Sequence, residues 1–123
     1  MKLLLIEDNH DVSKMVSQYL RLKEYDCMVA DNGKDGLDQI INGKYDVVLL
    51  DLAMPEFSGY DVIASLEAKG KLVDQKLIIL TVYALSDEKI KGLESRGVYA
   101  CIKKPVQLQE LVKTIQSCTS SQN

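Results

Sequence analysis

Residues 45–62, YDVVLLDLAMPEFSGYDV, contain one complete passage from strand to helix. Residues 47–50 are a continuous apolar run closed by Asp51. An apolar run of that length, without polar alternation, predicts a short strand buried on both faces. Met54-Pro55 then breaks the chain, and Ser58 with Asp61 has the N-cap and third-position spacing of a starting helix. Val62, Ile63 and Leu66 follow on one helical stripe.

The same unit repeats on both sides. Apolar runs at 3–6, 27–30, 77–80 and 99–102 recur at intervals of roughly 20 to 25 residues. Between them the period becomes helical, with Val12, Met15, Val16, Tyr19 and Leu20 on one stripe, Ile90 and Leu93 on another, and Leu108, Leu111, Val112 and Ile115 on a third. Asn32 with Asp35 opens a helix, and Gly43, Gly70 and Gly97 stand where helices should end. Five β-α units with uninterrupted apolar strands predict a parallel sheet covered on both faces. Right-handed crossovers make it an open, doubly wound five-stranded α/β domain.

The 123 residues are 46% hydrophobic and 27% charged, an ordinary globular balance for one domain, read as 1–118 with a polar tail at 119–123. Five β-α units use up this length, so no DNA-binding or catalytic output domain is expected within it. With 18 acidic and 15 basic residues the net charge is −3, so a basic footprint for nucleic acid is absent. No apolar run approaches the ~20 residues of a membrane span, and Glu7-Asp8 excludes a signal peptide. Three cysteines, Cys27, Cys101 and Cys118, without Cys-x-x-Cys spacing, argue against a disulfide framework or a zinc site. A cytoplasmic location is expected.

In doubly wound sheets, ligands bind beyond the carboxyl ends of the strands. Those ends carry Glu7 and Asp8, Asp51, Thr81, and Lys103-Lys104-Pro105. Three gathered acids repel and have raised pKa values unless a cation joins them. Two direct carboxylates with open positions suit Mg²⁺, which keeps waters and shares its shell with phosphate. A carboxylate beside such an ion is a nucleophile toward a phosphoryl group, with a lysine and a hydroxyl as stabilising electrophiles.

These residues, in this order, resemble the receiver domain of two-component response regulators. The resemblance covers essentially the whole chain: Glu7-Asp8, Asp51 followed by Met54-Pro55 and Gly59, Thr81, and Lys104-Pro105. It implies a CheY-like, flavodoxin-like fold with strand order 2-1-3-4-5. It implies that Asp51 accepts a phosphoryl group from a sensor histidine kinase or histidine phosphotransfer protein. Asp8, Asp51 and the Ala53 carbonyl would hold Mg²⁺, with Glu7 acting through water. Lys104 would pair with the phosphoryl oxygens and Thr81 would donate its hydroxyl to one of them. The Lys104-Pro105 bond would be cis. Strand alternation places Lys103 on the other face. His10 is expected to be exposed in the first helical turn, Cys27 and Cys118 to be packed, and Met54 and Phe57 to pack a loop.

The chain also departs from the family. The position three before the lysine, usually an aromatic that turns inward on activation, is Cys101. Tyr83 or Tyr99 is left as a substitute. Val82 stands where a small residue is usual and is expected to narrow access to Asp51. Ala53 and Tyr83 occupy lifetime-tuning positions, and a phosphorylated state lasting at least minutes is expected. The acids that form one subfamily's dimer are missing from 97–101, so that dimer is not implied. The face of the fourth helix, fifth strand and fifth helix is the expected surface for a downstream protein partner.

Other functions fit less well. A receiver-like interaction module that is never phosphorylated is the alternative, favoured by Cys101 and Val82. Aspartate-nucleophile phosphatases need a second carboxylate where this chain has Ala53, so an enzyme acting on phosphoesters is not expected. No glycine-rich nucleotide loop follows the first strand. A flavin-type phosphate loop is excluded because Glu7-Asp8-Asn9 would repel phosphate.

Overall fold

The computed structural model describes residues 1–120, so the last three residues of the predicted polar tail lie outside the described residues. The order of elements is β1 (Lys2–Ile6), α1 (His10–Leu22), β2 (Asp26–Ala30), α2 (Gly33–Asn42), β3 (Val47–Asp51), α3 (Gly59–Ala68), a 3₁₀ turn (Leu72–Asp74), β4 (Leu77–Thr81), α4 (Asp87–Arg96), β5 (Val98–Lys103) and α5 (Leu108–Ser120). The five strands pair in parallel in the order β2-β1-β3-β4-β5. The fold is therefore the flavodoxin-like α/β sandwich expected, and each apolar run lies within one strand.

The pleat sorts each strand between two cores. Leu4, Ile6, Val48, Leu50 and Ile79 pack with Ile40 of α2, Val62, Ile63 and Leu66 of α3, and Leu93 of α4. Leu3, Leu5, Val47, Leu49, Ile78 and Leu80 pack with Val16 and Leu20 of α1 and with Leu111, Ile115 and Cys118 of α5. Burial on both faces explains the unbroken apolar runs, and each such side chain contributes roughly 1.5–3 kcal/mol.

The caps behave as the sequence predicts. The Asn32 side chain accepts from the Asp35 N–H at 2.8 Å. Ser58 and Asp61 form a full capping box at the start of α3. Gly97 ends α4 with a φ of 121°, a backbone conformation that disfavours L side chains.

Two local features differ from the expected pattern. On α1 the buried face is Ser13, Val16, Ser17 and Leu20, while Met15 is largely exposed. The Ser13 and Ser17 hydroxyls donate back to the His10 and Lys14 carbonyls, so small polar residues line this contact without an unsatisfied donor. On β5 the register shifts: Leu77 pairs with Val98, but Ile78 pairs with Ala100. Tyr99 is the extra residue of this irregularity and is part-exposed. At the C-terminus, α5 includes Thr119 and Ser120, the first two residues of the predicted tail.

Candidate functional site

Parallel strands all end on one edge of the sheet, and the topology gathers there what the chain holds far apart. Glu7 follows β1, Asp51 is the last residue of β3, Thr81 the last of β4, and Lys104 follows β5. Neighbouring register pairs Ile6 with Leu50 and Asp51 with Leu80, so the acidic ends lie side by side. Carboxylate oxygens of Glu7, Asp8 and Asp51 lie within 4.8 Å of one another. Glu7 and Asp51 are almost fully buried, at 1% and 2% exposure, and Asp8 is half-buried.

Lys104 is the counter-charge. Its Nζ donates to Glu7 Oε1 and lies 3.5 Å from Asp51 Oδ1. The Ala53 N–H donates to the same Asp51 oxygen at 3.2 Å. Burial nevertheless dominates, and with the hydrogen bond and charge of Glu7 it pushes the Asp51 carboxyl from 3.8 up to about 7, against the opposing pull of Lys104 and the Ala53 amide. Asp51 is thus a carboxylate short of positive charge. This all-oxygen, acid-rich donor set fits a hard divalent cation such as Mg²⁺.

The loop after β3 is shaped to hold Asp51. The Leu52 N–H donates to the Leu80 carbonyl at 3.1 Å and the Gly59 N–H to the Leu52 carbonyl at 3.0 Å. A Cβ at Gly59 would lie 2.5 Å from the Asp51 carbonyl oxygen and 2.7 Å from Leu52 Cα. Only glycine lets α3 begin this close to the site. Glu56 turns the loop with a φ of 68°. Met54 is buried and Phe57 packs against the core, as expected.

Thr81 is buried and its hydroxyl is held by the next loop. Its Oγ1 accepts from the Tyr83 N–H at 3.0 Å and donates to the Tyr83 carbonyl at 3.4 Å. Beside it lies a cavity of about 210 Å³, lined by Thr81, Tyr83, Leu85, Ile90, Cys101 and Lys103.

The other residues singled out in the sequence lie as follows. Ala53 is exposed above Asp51, and the Lys104–Pro105 bond is cis. Lys103 faces the cavity rather than the acids, as strand alternation requires. His10 is exposed at the start of α1, and Cys27 and Cys118 are buried. Val82 is exposed. One contributor was missed. Asn9 caps α1 through its side chain, and its N–H donates to Glu7 Oε2 at 3.2 Å. The visible signal for it was an asparagine directly before a helical stripe.

A doubly wound sheet with this acidic pocket at its carboxyl edge is the arrangement of a receiver domain. The response regulator receiver domain family matches residues 3–116, and the chain belongs to that family. It is 34% identical over 116 residues to the transcriptional regulatory protein DltR of Streptococcus agalactiae, covering 94% of this chain and 50% of DltR. It is 31% identical over 115 residues to the phosphate regulon transcriptional regulatory protein PhoB of Pseudomonas aeruginosa, again covering 94% and 50%. The chain therefore spans about half the length of these curated relatives. Its fold superposes on the receiver domain of Francisella response regulator 1452 with a TM-score of 0.88, at 24% identity and covering 99% and 98% of the two chains. The response regulator TrrA of Thermotoga maritima, solved in complex with Mg²⁺-BeF, matches with a TM-score of 0.79 at 27% identity, covering 95% and 97%.

The protein is thus a two-component response regulator receiver with the acidic pocket typical of the phosphoaspartate and Mg²⁺ site. Receivers are signalling modules rather than conventional enzymes, and this class implies a histidine kinase partner. Among the described residues no helix is long and apolar enough to cross a membrane.

Proposed function

We propose that Asp51 accepts a phosphoryl group from the phosphohistidine of a sensor histidine kinase or phosphotransfer protein. The observation that carries this reading is the cluster of Glu7, Asp8 and Asp51 oxygens within 4.8 Å, with Lys104 on its edge. An Asp51 oxygen attacks phosphorus, the P–N bond to the donor imidazole breaks, and its electron pair stays on nitrogen. Asp8, Asp51 and the Ala53 carbonyl would hold Mg²⁺, with Glu7 acting through water. The ion would neutralise charge on the phosphoryl oxygens. Lys104 moves its ammonium toward a phosphoryl oxygen, and the Thr81 hydroxyl donates to another.

Phosphorylation then biases a two-state equilibrium, and the output is altered protein binding at the α4-β5-α5 face. The acidic balance supports an output through protein rather than by direct contact with nucleic acid, and the odd cysteine count supports a cytoplasmic setting.

The test is incubation with Mg²⁺ and acetyl phosphate, followed by intact mass. The expected result is one stoichiometric phosphoryl gain that Asp51→Asn abolishes. No gain in the wild type overturns the reading in favour of a never-phosphorylated interaction module. Repeated turnover of the donor, without stoichiometric retention, overturns it in favour of an enzyme.

A further inference from the structure

We infer that the groove between α3 and α4 binds a short acidic peptide segment of a partner protein, with acidic side chains on Lys89 and Arg96 and an apolar residue over Gly92. No residue of β5 or α5 lines this groove, so it is a surface distinct from the α4-β5-α5 face. It stands whether or not Asp51 accepts a phosphoryl group.

Tyr60 of α3 and Lys89, Gly92, Leu93 and Arg96 of α4 line a cavity of about 290 Å³. The four α4 residues recur every three or four positions and so form one helical stripe. Tyr60 and Lys89 also border a second depression, of about 380 Å³, that runs on to Tyr83 and Ser86. The two share a wall and make one elongated groove. From Ser86 to Arg96 the helix rises about 15 Å. That is the reach of roughly four or five extended residues.

The lining selects the occupant. Among the described residues the Lys89 ammonium has no partner, and no carboxylate lines either depression. Arg96 donates from Nε and Nη2 to Glu67, which leaves the other N–H groups of its guanidinium for a further acceptor. Gly92 lies inside α4, where glycine is less favourable than alanine. No atom of the chain lies within 4 Å of the Cβ it lacks, so nothing in the fold needs that space. A backbone arriving from outside does use it. The exposed Tyr60 ring adds an apolar wall. A nucleic acid strand suits this surface less well. Asp87 and Glu88 in the first turn of α4 oppose a phosphate at every residue, whereas a peptide alternates acidic and apolar side chains.

The experiment measures fluorescence anisotropy of short labelled peptides that alternate glutamate with leucine or phenylalanine. Lysine–leucine and serine–leucine peptides and an oligouridylate of similar length run beside them. The acidic peptides are expected to bind wild type in preference to the other probes, and more weakly as salt rises. Lys89→Glu and Gly92→Gln, both at exposed positions, are expected to keep the wild-type melting midpoint and weaken binding at least about tenfold. Lys113→Glu, exposed on α5, makes the same charge change away from the groove and is expected to leave binding intact. Acidic peptides that bind no better than the lysine or serine peptides overturn the inference. So does binding that survives in Lys89→Glu or Gly92→Gln, or that Lys113→Glu weakens equally. Stronger binding of oligouridylate assigns the groove to nucleic acid instead. Self-association of wild type that Gly92→Gln abolishes assigns it to a second copy of the chain and overturns the peptide reading.

Discussion

Lys104 and Glu7, 97 residues apart in the chain, form an ion pair at the carboxyl edge of the sheet. Glu7 is almost fully buried, and Lys104 has only 12% of its side chain exposed. Removing one partner of a buried pair leaves the other charge uncompensated and typically costs about 3–5 kcal/mol. Lys104→Met is therefore expected to destabilise the protein by roughly 3 kcal/mol at pH 8. Adding Glu7→Gln should recover much of that loss, which urea denaturation of the single and double variants will measure.

Asp51 makes stability depend on pH with a definite sign. Its folded-state pKa is raised from 3.8 to about 7, so between these values the folded protein holds a proton that the unfolded chain has lost. Stability contributed by that proton is full below about pH 4, falls as pH rises through the window, and is gone above about pH 7. The slope is at most about 1.4 kcal/mol per pH unit. In EDTA, the wild-type midpoint should fall more steeply from pH 5 to pH 8 than that of Asp51→Asn. At pH 8 the Asn variant should be the more stable of the two. Parallel melting curves across this range would contradict the assignment.

Cation binding should reverse that penalty. A ligand at ten times its dissociation constant stabilises the folded state by roughly 1.4 kcal/mol. Titrating Mg²⁺ at pH 8 is expected to raise the wild-type melting midpoint. Asp8→Asn and Asp51→Asn should each abolish most of the rise, and His10→Ala, exposed beside the pocket, should not.

Gly59 sets how closely α3 approaches the acceptor. Gly59→Ala would force a Cβ to within 2.5 Å of the Asp51 carbonyl oxygen, a contact that backbone must relieve by moving. Overpacking of this kind costs about 1–3 kcal/mol. The expected outcome is a loss of that order in urea denaturation, together with slower phosphoryl uptake from acetyl phosphate. Gly92→Ala, where no atom lies within 4 Å of the added carbon, is the helical control and should be neutral or slightly stabilising.

Sequence alone determined the five β-α units, a parallel sheet covered on both faces and the residue types gathered at its edge. Apolar runs such as 47–50, and caps such as Ser58 with Asp61, are local properties that survive without knowledge of the fold. Parallel connection then obliges Glu7, Asp51, Thr81 and Lys104 to share one edge, whatever the details of packing. Tertiary structure decided what depends on pairs distant in the chain. The rotation of α1 that buries Ser13 and Ser17 instead of Met15 comes from its fit to the sheet and α5. The unusual basicity of Asp51 comes from burial beside Glu7, with Lys104 turned chiefly to Glu7. The part-exposed position of Tyr99 comes from a one-residue register shift on β5. Periodicity reports which way a side chain faces, but cavities and charge balances belong to the assembled neighbours.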